Sequence, residues 1–180
     1  MRPQRGGGLV SSQGVRASEV FSERITALAP EAGEARWWLG GLAVIKLTGK
    51  ETEGRFSLIE LLYPPKLEVP LHVHTREDEL FHLLEGTISY RIGASRLDAA
   101  PGHTVFAPRN IPHNFTVTSP GPARYLIVYS PAGFEDCIRE TSEPAQALTL
   151  PPNPYAPIPP AEIQRIATLM ATKYGCQFVG

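Results

Sequence analysis

An all-β barrel or sandwich is the fold class that the sequence predicts. Between residues 36 and 130, short runs of branched and aromatic residues are separated by turn-forming residues about every ten positions. This spacing is too short for the helical crossovers of βαβ units. The chain has 180 residues, of which 42% are hydrophobic, so one domain can bury a substantial core.

The predicted strands follow one another in short steps. "ARWWLGGLAVIKL" and "RFSLIELLY" are two strand-like runs, and "TGKETEG" between them is expected to be a turn. "TISYRI" and "SRLD" begin after turns at Gly86 and Gly93. A Pro101-Gly102 turn leads to "TVFAP", the tight loop "PRNIP" leads to "NFTVTS", and "ARYLIVYS" closes the series.

The composition changes after this series. Seven prolines between Pro144 and Pro160 predict a semi-extended strap. "PPAEIQRIATLMATKYG" then predicts an amphipathic helix that starts near Pro160 and ends at Gly175. The predicted apolar face of this helix consists of Ile163, Ile166, Leu169 and Met170. Because such a face needs a partner, we expect the strap and helix to pack back on the barrel.

Three parts of the chain are therefore expected. Residues 1–33 form a flexible leader or arm, residues 34–132 form the barrel, and residues 133–180 form the Pro-rich strap with its helix. The leader is rich in Gly, Ser and Ala, and it lacks the apolar core of a signal peptide.

Charge and composition also limit the function classes. The 17 basic and 18 acidic side chains give a net charge of −1, without the basic patch that nucleic-acid binding requires. The sequence contains no apolar run of membrane-spanning length. Cys137 and Cys176 do not form a disulfide framework, so free thiols and a cytoplasmic location are expected.

Three of the five histidines and several acids are concentrated in "VPLHVHTREDELFHLLEG". Alternate residues of a strand share a face, so His72 and His74 point the same way. Glu79 follows a reversal and is expected to lie across an antiparallel hairpin from His74. His113 starts a later strand and supplies a third imidazole. Imidazole nitrogens and a carboxylate are ligands for a first-row divalent metal, so we predict a metal site.

The neighbouring polar residues fit such a site less well. A single histidine in a strand is most often a structural or surface residue. His82 is out of phase with Glu79 and His103 follows a turn glycine, so both are expected outside the site. Glu77 falls in the reversal. Asp78 is the alternative ligand if the loop is one residue shorter, but Glu79 is favoured because Gly86 then ends the strand.

The chain resembles the cupin superfamily in two motifs, "HVHTREDELFHLLEG" and "GHTVFAPRNIPH", and the resemblance covers roughly residues 36–130. It is most similar to bacterial single-domain quercetin-dioxygenase-like cupins. The resemblance implies a jelly-roll β-barrel, a homodimer and one divalent metal per chain. The implied ligands are His72, His74, Glu79 and His113, and the metal is Fe, Mn, Ni, Co, Cu or Zn.

Three positions depart from the family pattern. Lys66 stands where the first motif usually opens with Gly, Asn110 replaces the Gly of the usual P-x-G, and Val117 replaces the usual final Asn. Asn tolerates the left-handed backbone conformation better than most residues, so we expect the turn at Asn110 to persist. None of these changes removes a predicted ligand.

A site of three histidines and one carboxylate leaves coordination positions open, which favours an enzyme over a structural metal site. The resemblance implies a dioxygenase that acts with dioxygen on an enolisable or aromatic small molecule, with Glu79 also accepting a substrate proton. Phe81 and Phe115 suit a flat substrate, or they are ordinary barrel packing. A non-oxidative lyase or isomerase and a non-catalytic small-molecule-binding module are the alternatives.

Overall fold

The computed structural model of the protein describes residues 26–179. Within this range the chain forms twelve strands, three α-helices and one π-helical segment. The strands are β1 (Glu34–Trp38), β2 (Gly41–Leu47), β3 (Ser57–Tyr63), β4 (Glu68–His74), β5 (Asp78–Glu85), β6 (Ile88–Ile92), β7 (Ser95–Ala99), β8 (Thr104–Ala107), β9 (His113–Val117), β10 (Ala123–Ser130), β11 (Glu143–Pro144) and β12 (Cys176–Phe178). The helices are α1 (Gly49–Thr52), α2 (Phe134–Glu140), α3 (Pro160–Leu169) and the π-helix Met170–Tyr174.

The strands form two antiparallel sheets that face each other as a jelly roll. One sheet has seven strands in the order β11-β1-β2-β3-β10-β5-β8, and the other has five in the order β12-β4-β9-β6-β7. The predicted all-β jelly-roll fold is confirmed. All predicted strands between Ser57 and Ser130 are present, and β4 and β5 carry the histidine-rich stretch.

Strict alternation of side chains creates the core between the sheets. In β10, Tyr125, Ile127 and Tyr129 are buried, whereas the residues between them are only partly covered. β3 alternates in the same way and pairs with β10 along its whole length. Burying one such large side chain stabilises the fold by roughly 1.5–3 kcal/mol. The inward residues of both sheets therefore hold the barrel together and also form its interior surface.

The first apolar run differs from the expected single strand. "ARWWLGGLAVIKL" forms a hairpin, in which β1 pairs with β2 through Trp38 and Gly41. Leu39 and Gly40 form the two-residue connection, with φ values of 48° and 81°. Positive φ at both central residues characterises the turns that join tightly twisted antiparallel strands. The leucine at the first turn position obscured this turn in the sequence.

The predicted turn "TGKETEG" contains the single helical turn α1. Thr48 caps it, and Glu51 Oε2 accepts a hydrogen bond from the Thr48 N–H at 2.9 Å, which completes a capping box. This Thr-x-x-Glu pattern was a readable helix-start signal in the sequence.

The C-terminal segment is more structured than a strap followed by a helix. α2 and the short strand β12 were not predicted, and β11 pairs with β1. α3 starts at Pro160, and Gly175 ends the π-helix with a left-handed φ of 70°, as expected. Ile166 and Met170 are buried, but Ile163 is 52% exposed, so the predicted apolar face is only partly covered.

The described part of the chain contains no helix that is long and apolar enough to cross a membrane. The expected leader lies outside the described residues as far as residue 25. Its last part is attached to the barrel, because Lys46 Nζ donates to the backbone oxygen of Ala32 at 2.9 Å.

Candidate metal centre

Four buried side chains converge inside the barrel. His72 and His74 lie on β4, and His113 is the first residue of the neighbouring strand β9. Glu79 lies on β5 in the opposite sheet. One nitrogen or oxygen atom from each residue lies within 4.8 Å of the others. The structure therefore brings together all four residues that the sequence singled out as metal ligands.

Glu79 reaches this position by a different route from the predicted one. The expected antiparallel hairpin of β4 and β5 is wrong, because the two strands belong to different sheets. The residues between them carry the chain across the barrel. Since the inner faces of both sheets line the same interior, Glu79 still faces His74, with Oε1 3.6 Å from Nε2. Strand alternation therefore predicted correctly that Glu79 faces His74, although the predicted pairing of the two strands was wrong.

Backbone geometry places the three imidazoles side by side. His72 and His113 are directly paired across β4 and β9, and their ring centroids are 4.4 Å apart. The loop before His113 is fixed by Asn110, whose N–H donates to the His74 carbonyl oxygen at 2.7 Å. Asn110 has φ 65° and Lys66 has φ 62°, so both non-glycine residues adopt the left-handed conformation. The expectation that the turn at Asn110 persists is confirmed.

The ring orientation of each histidine is set by an oxygen atom at Nδ1. His72 Nδ1 lies 2.8 Å from the Pro70 carbonyl oxygen, and His113 Nδ1 lies 3.0 Å from that of Ile111. A carbonyl oxygen only accepts hydrogen bonds, so the proton of each neutral ring is on Nδ1. The lone pair of Nε2 then points into the site, which is the state that metal coordination requires.

The electrostatics of the cluster also suit a cation. Glu79 Oε2 lies 2.5 Å from His113 Nε2, and neither atom has a hydrogen-bond partner elsewhere within residues 26–179. Two electron-rich atoms at this separation repel each other unless a proton or a metal lies between them. Buried ligand atoms without a hydrogen-bond partner are typical of a metal site. The residues present therefore fit a divalent metal.

The pKa shifts reflect the same contacts. Burial raises the pKa of Glu79, but the neighbouring His74, His113 and His72 outweigh it and lower that pKa to about 2. Burial lowers the pKa of His72 to about 4. For His113, burial acts in the same direction, but contact with Glu79 outweighs it and raises the pKa. The site thus favours an ionised carboxylate together with a neutral His72.

The residues that the sequence placed outside the site do lie elsewhere. Asp78 faces outward and binds the Arg109 guanidinium, with 2.7 Å between Oδ2 and Nη2. His82 Nδ1 lies 3.0 Å from the Thr104 hydroxyl, and His103 is exposed. These contacts remove Asp78 as an alternative ligand. They support the prediction that Glu79, and not Asp78, faces the interior of the barrel.

Glu77 is the site residue that the sequence analysis missed. It lies in the reversal, as expected, but it is only 4% exposed, and its Oε2 is 3.3 Å from His74 Nδ1. Its spacing from Glu79 indicated this position, because residues two apart lie on the same side of an extended chain. The position of Glu77 in the reversal was given more weight in the prediction from sequence.

Three residues of the metal cluster, His72, His74 and Glu79, line a cavity of about 300 Å³, and the part of the cavity beside them is called its metal end. Phe81 and Phe115 line this cavity, together with the buried tyrosines Tyr63, Tyr125 and Tyr129. Burial raises the pKa of each of these tyrosines above its usual value, so their hydroxyls remain protonated at neutral pH. Among the described residues that line the cavity, no lysine or arginine is present. The cavity is therefore largely apolar and aromatic.

The C-terminal segment completes the cavity wall. The residues that it contributes are Ile158, Ile163, Ile166, Met170 and Phe178. β12 adds a strand beside β4 and pairs Phe178 with His72. The strap and helix thus pack against the barrel and form part of the cavity wall.

Comparisons with known proteins agree with this architecture. Residues 59–129 match the family described as "Cupin domain". No curated protein matches the sequence. The matched residues contain all four residues of the cluster and most of the strands of the barrel.

Several solved structures share the fold at low sequence identity. A predicted oxalate decarboxylase from Thermotoga maritima is 18% identical over 59% of this chain and 99% of its own, with a TM-score of 0.53. The polyketide cyclase RemF from Streptomyces resistomycificus is 20% identical over 73% and 90%, with a TM-score of 0.52. The cupin domain of Schizosaccharomyces pombe Cnp3 is 14% identical over 65% and 82%, with a TM-score of 0.53. These structures show a shared fold, and the domain match over residues 59–129 supports the cupin superfamily.

Proposed function

We propose that the protein is a metal-dependent cupin enzyme that acts as a dioxygenase on an uncharged, enolisable or aromatic small molecule. One divalent transition metal per chain is held by His72, His74, Glu79 and His113. The observation that carries the proposal is the convergence of these four buried groups at the end of an apolar cavity. When bound, the metal supplies Lewis-acid or redox chemistry beside the substrate.

The side chains of the chain itself perform the remaining tasks. Glu79 is ionised, because the surrounding imidazoles keep its pKa low, so its carboxylate is available as a proton acceptor. So low a pKa makes it a weak base, and its proton donor would be a substrate hydroxyl whose own pKa is lowered beside the metal. Phe81 and Phe115 provide aromatic walls for a flat ring. The apolar lining excludes water from the reacting groups, which strengthens electrostatic interactions at the metal end.

The charge of the cavity supports the choice of an uncharged substrate. A carboxylate or phosphate substrate usually requires a cationic side chain to replace its hydration. The described lining offers no lysine or arginine and adds the acid Glu68, so the metal itself would be the positive charge that an anion could meet there. We therefore favour a neutral molecule whose single polar edge is directed at the metal end.

Measuring oxygen uptake by the metal-loaded protein with a flavonol and with a 1,3-diketone tests this function. We expect substrate-dependent oxygen consumption in air and no product under anaerobic conditions. Equal turnover without oxygen would instead establish the non-oxidative lyase or isomerase. Absence of metal-dependent turnover across a broad panel would favour the non-catalytic binding module.

We further propose a cytoplasmic homodimer, organised as an arm (residues 1–33), a barrel (34–132) and a strap with helix (133–180). Leu80 and Phe106 support the dimer, because they are adjacent, 38% and 56% exposed, and lie at the β8 edge of the seven-stranded sheet. Exposed apolar edges of this kind favour association. The free, buried thiols of Cys137 and Cys176 are consistent with a reducing compartment.

A further inference from the structure

The buried carboxylate of Glu77 has a function that the four-residue cluster does not include. We propose that Glu77 is a positioning residue, which accepts a hydrogen bond from His74 Nδ1–H and thereby directs His74 Nε2 at the metal. Its Oε2 lies 3.3 Å from this nitrogen, and both side chains are almost completely buried. This inference rests on the proposed metal site, because it assigns a role in holding one of its ligands.

His74 differs from the other two histidines in the atom that holds its ring. His72 and His113 each contact the backbone oxygen of the residue two positions earlier. The corresponding residue for His74 is His72, which is paired on both sides, with His113 of β9 and with Phe178 of β12. Because the backbone of His72 takes part in strand pairing, a side chain has to supply the hydrogen-bond acceptor for His74 Nδ1–H.

The energetic cost of Glu77 indicates that it has a specific role. A buried carboxylate is strongly destabilising unless it is paired and hydrogen-bonded. Glu77 is 4% exposed and only two residues from the equally buried Glu79, so two acids share a small apolar space. A divalent cation held by His74 and Glu79 would offset both negative charges. A carboxylate on the far nitrogen of a metal-binding imidazole also makes that imidazole a stronger ligand.

Glu135 shows what a purely structural buried carboxylate looks like in this chain. It is 3% exposed, but its oxygens accept backbone N–H groups, from Gly49 at 2.8 Å and from Gly133 at 2.6 Å. It therefore fastens α2 to the α1 turn and contacts no histidine of the cluster. Glu77 has the same burial and residue type, but its partner is a residue of the site. Glu135 is for this reason the matched control.

The test compares Co²⁺ binding by the full-length wild-type protein and three variants, Glu77→Leu, Glu77→Gln and Glu135→Gln. The Kd is measured by competition with a chelator, the Co²⁺ absorption bands report ligand geometry, and thermal unfolding of the metal-free proteins reports folding. Glu77→Leu should weaken Co²⁺ binding roughly 10–100-fold and shift the absorption bands. Glu77→Gln keeps an oxygen acceptor and should recover the wild-type bands with a smaller loss of affinity.

Glu135→Gln should lower the unfolding temperature and leave both the Kd and the bands unchanged. If the wild-type protein binds Co²⁺ and Glu77→Leu binds it equally tightly with the same spectrum, Glu77 has no positioning role and the metal site stands. If Glu77→Leu does not fold, Glu77→Ala, which also removes the acceptor, replaces it, and wild-type affinity with unchanged bands in that variant overturns the inference in the same way. A wild-type protein that takes up no Co²⁺ overturns both the inference and the proposed function.

Discussion

The two ends of the cavity are built in different ways. At the metal end, the side chains are polar, they come from β4, β5 and β9, and few residue types could replace them as metal ligands. The rest of the lining, called the apolar end, is mostly apolar, and its residues come from places that are far apart in sequence, such as Leu39, Leu67 and Ile163. Many aliphatic residues would serve there equally well. Three of the four metal-binding residues thus lie between His72 and Glu79, whereas the residues that shape the cavity are spread along the chain.

This difference suggests that chemistry and selectivity can be altered separately. Substitutions at the metal end should change metal binding and turnover, and they should leave the apolar walls intact. Substitutions at the apolar end should change which small molecules bind, with the metal still in place. The following predictions test this separation, beginning with the largest expected effect.

Removing two ligands at once should eliminate the metal. His72→Ala/His74→Ala leaves one imidazole and one carboxylate, so we expect less than stoichiometric metal after purification and dialysis. Metal that binds only the folded state stabilises it by about 2.7 kcal/mol at 100 times Kd. We therefore expect added Zn²⁺ to raise the unfolding temperature of the wild-type protein but not that of the double variant, as measured by thermal-shift and metal analysis.

His82→Ala is the matched control for this variant. His82 lies on β5 close to Glu79, but its ring contacts the Thr104 hydroxyl. It should retain one metal per chain and the Zn²⁺-dependent stabilisation. Full metal occupancy in the double variant would refute the assignment of the site.

The next largest effect should be the loss of turnover when Glu79 is replaced. Glu79→Gln keeps the size of the side chain and a weak oxygen ligand but loses the ionised carboxylate. We expect the three histidines to retain the metal with reduced affinity, and turnover to fall by a factor of roughly 10² or more. Steady-state kinetics with equal metal loading measures this loss.

Asp78→Asn is the adjacent control, because Asp78 binds Arg109 on the outer surface of the barrel. It should leave both metal content and turnover unchanged. Near-normal turnover by Glu79→Gln would instead show that Glu79 is at most a ligand, and that another group accepts the proton.

A substitution at the apolar end should have a smaller and different effect. Ile163 lines the cavity but is 52% exposed, so Ile163→Ala should cost little stability. Loss of its contacts should weaken the binding of a flavonol by roughly 1 kcal/mol, which is several-fold in Kd. Calorimetric titration of the metal-loaded protein measures the change. Metal content should stay the same.

Leu148→Ala is the control for Ile163→Ala, since Leu148 is similarly exposed at 45% and does not line this cavity. It should bind the flavonol as the wild-type protein does. If Ile163→Ala lost metal as well as flavonol affinity, the two ends of the cavity would not be separable.

A substitution on the outer surface of the barrel should have the smallest effect on the cavity. Phe106→Asp places a charge in the proposed dimer contact, where burial of an unpaired charge is unfavourable. Analytical ultracentrifugation at micromolar concentration should show a dimer for the wild-type protein and a monomer for this variant. Metal content should not change. A wild-type monomer would contradict the proposed dimer.

The contrast between the two ends also explains what the sequence could predict. Strand alternation and the spacing from His72 to Glu79 are local properties, so the ligands were identified although β4 and β5 were assigned to one hairpin. Which sheet each strand joins depends on long-range pairing, such as that of β5 with β10. Such pairing leaves no mark in a local pattern.

The C-terminal segment was predicted least well, for the same physical reason. α2 has only seven residues and no side-chain cap at its N-terminus, so its start carries no readable signal. β12 has three residues and exists because it pairs with β4. Glu77 was missed because its burial depends on the chain crossing between the sheets. In each case, tertiary contacts determine the local structure.

An anomalous-scattering crystal structure of the Zn²⁺-loaded protein tests the central claim most directly. We predict one strong peak at the end of the cavity, about 2.0–2.2 Å from Nε2 of His72, His74 and His113 and from one oxygen of Glu79. Zinc-soaked crystals without a peak at this position, or with a peak bound by Asp78 instead of Glu79, would contradict the account.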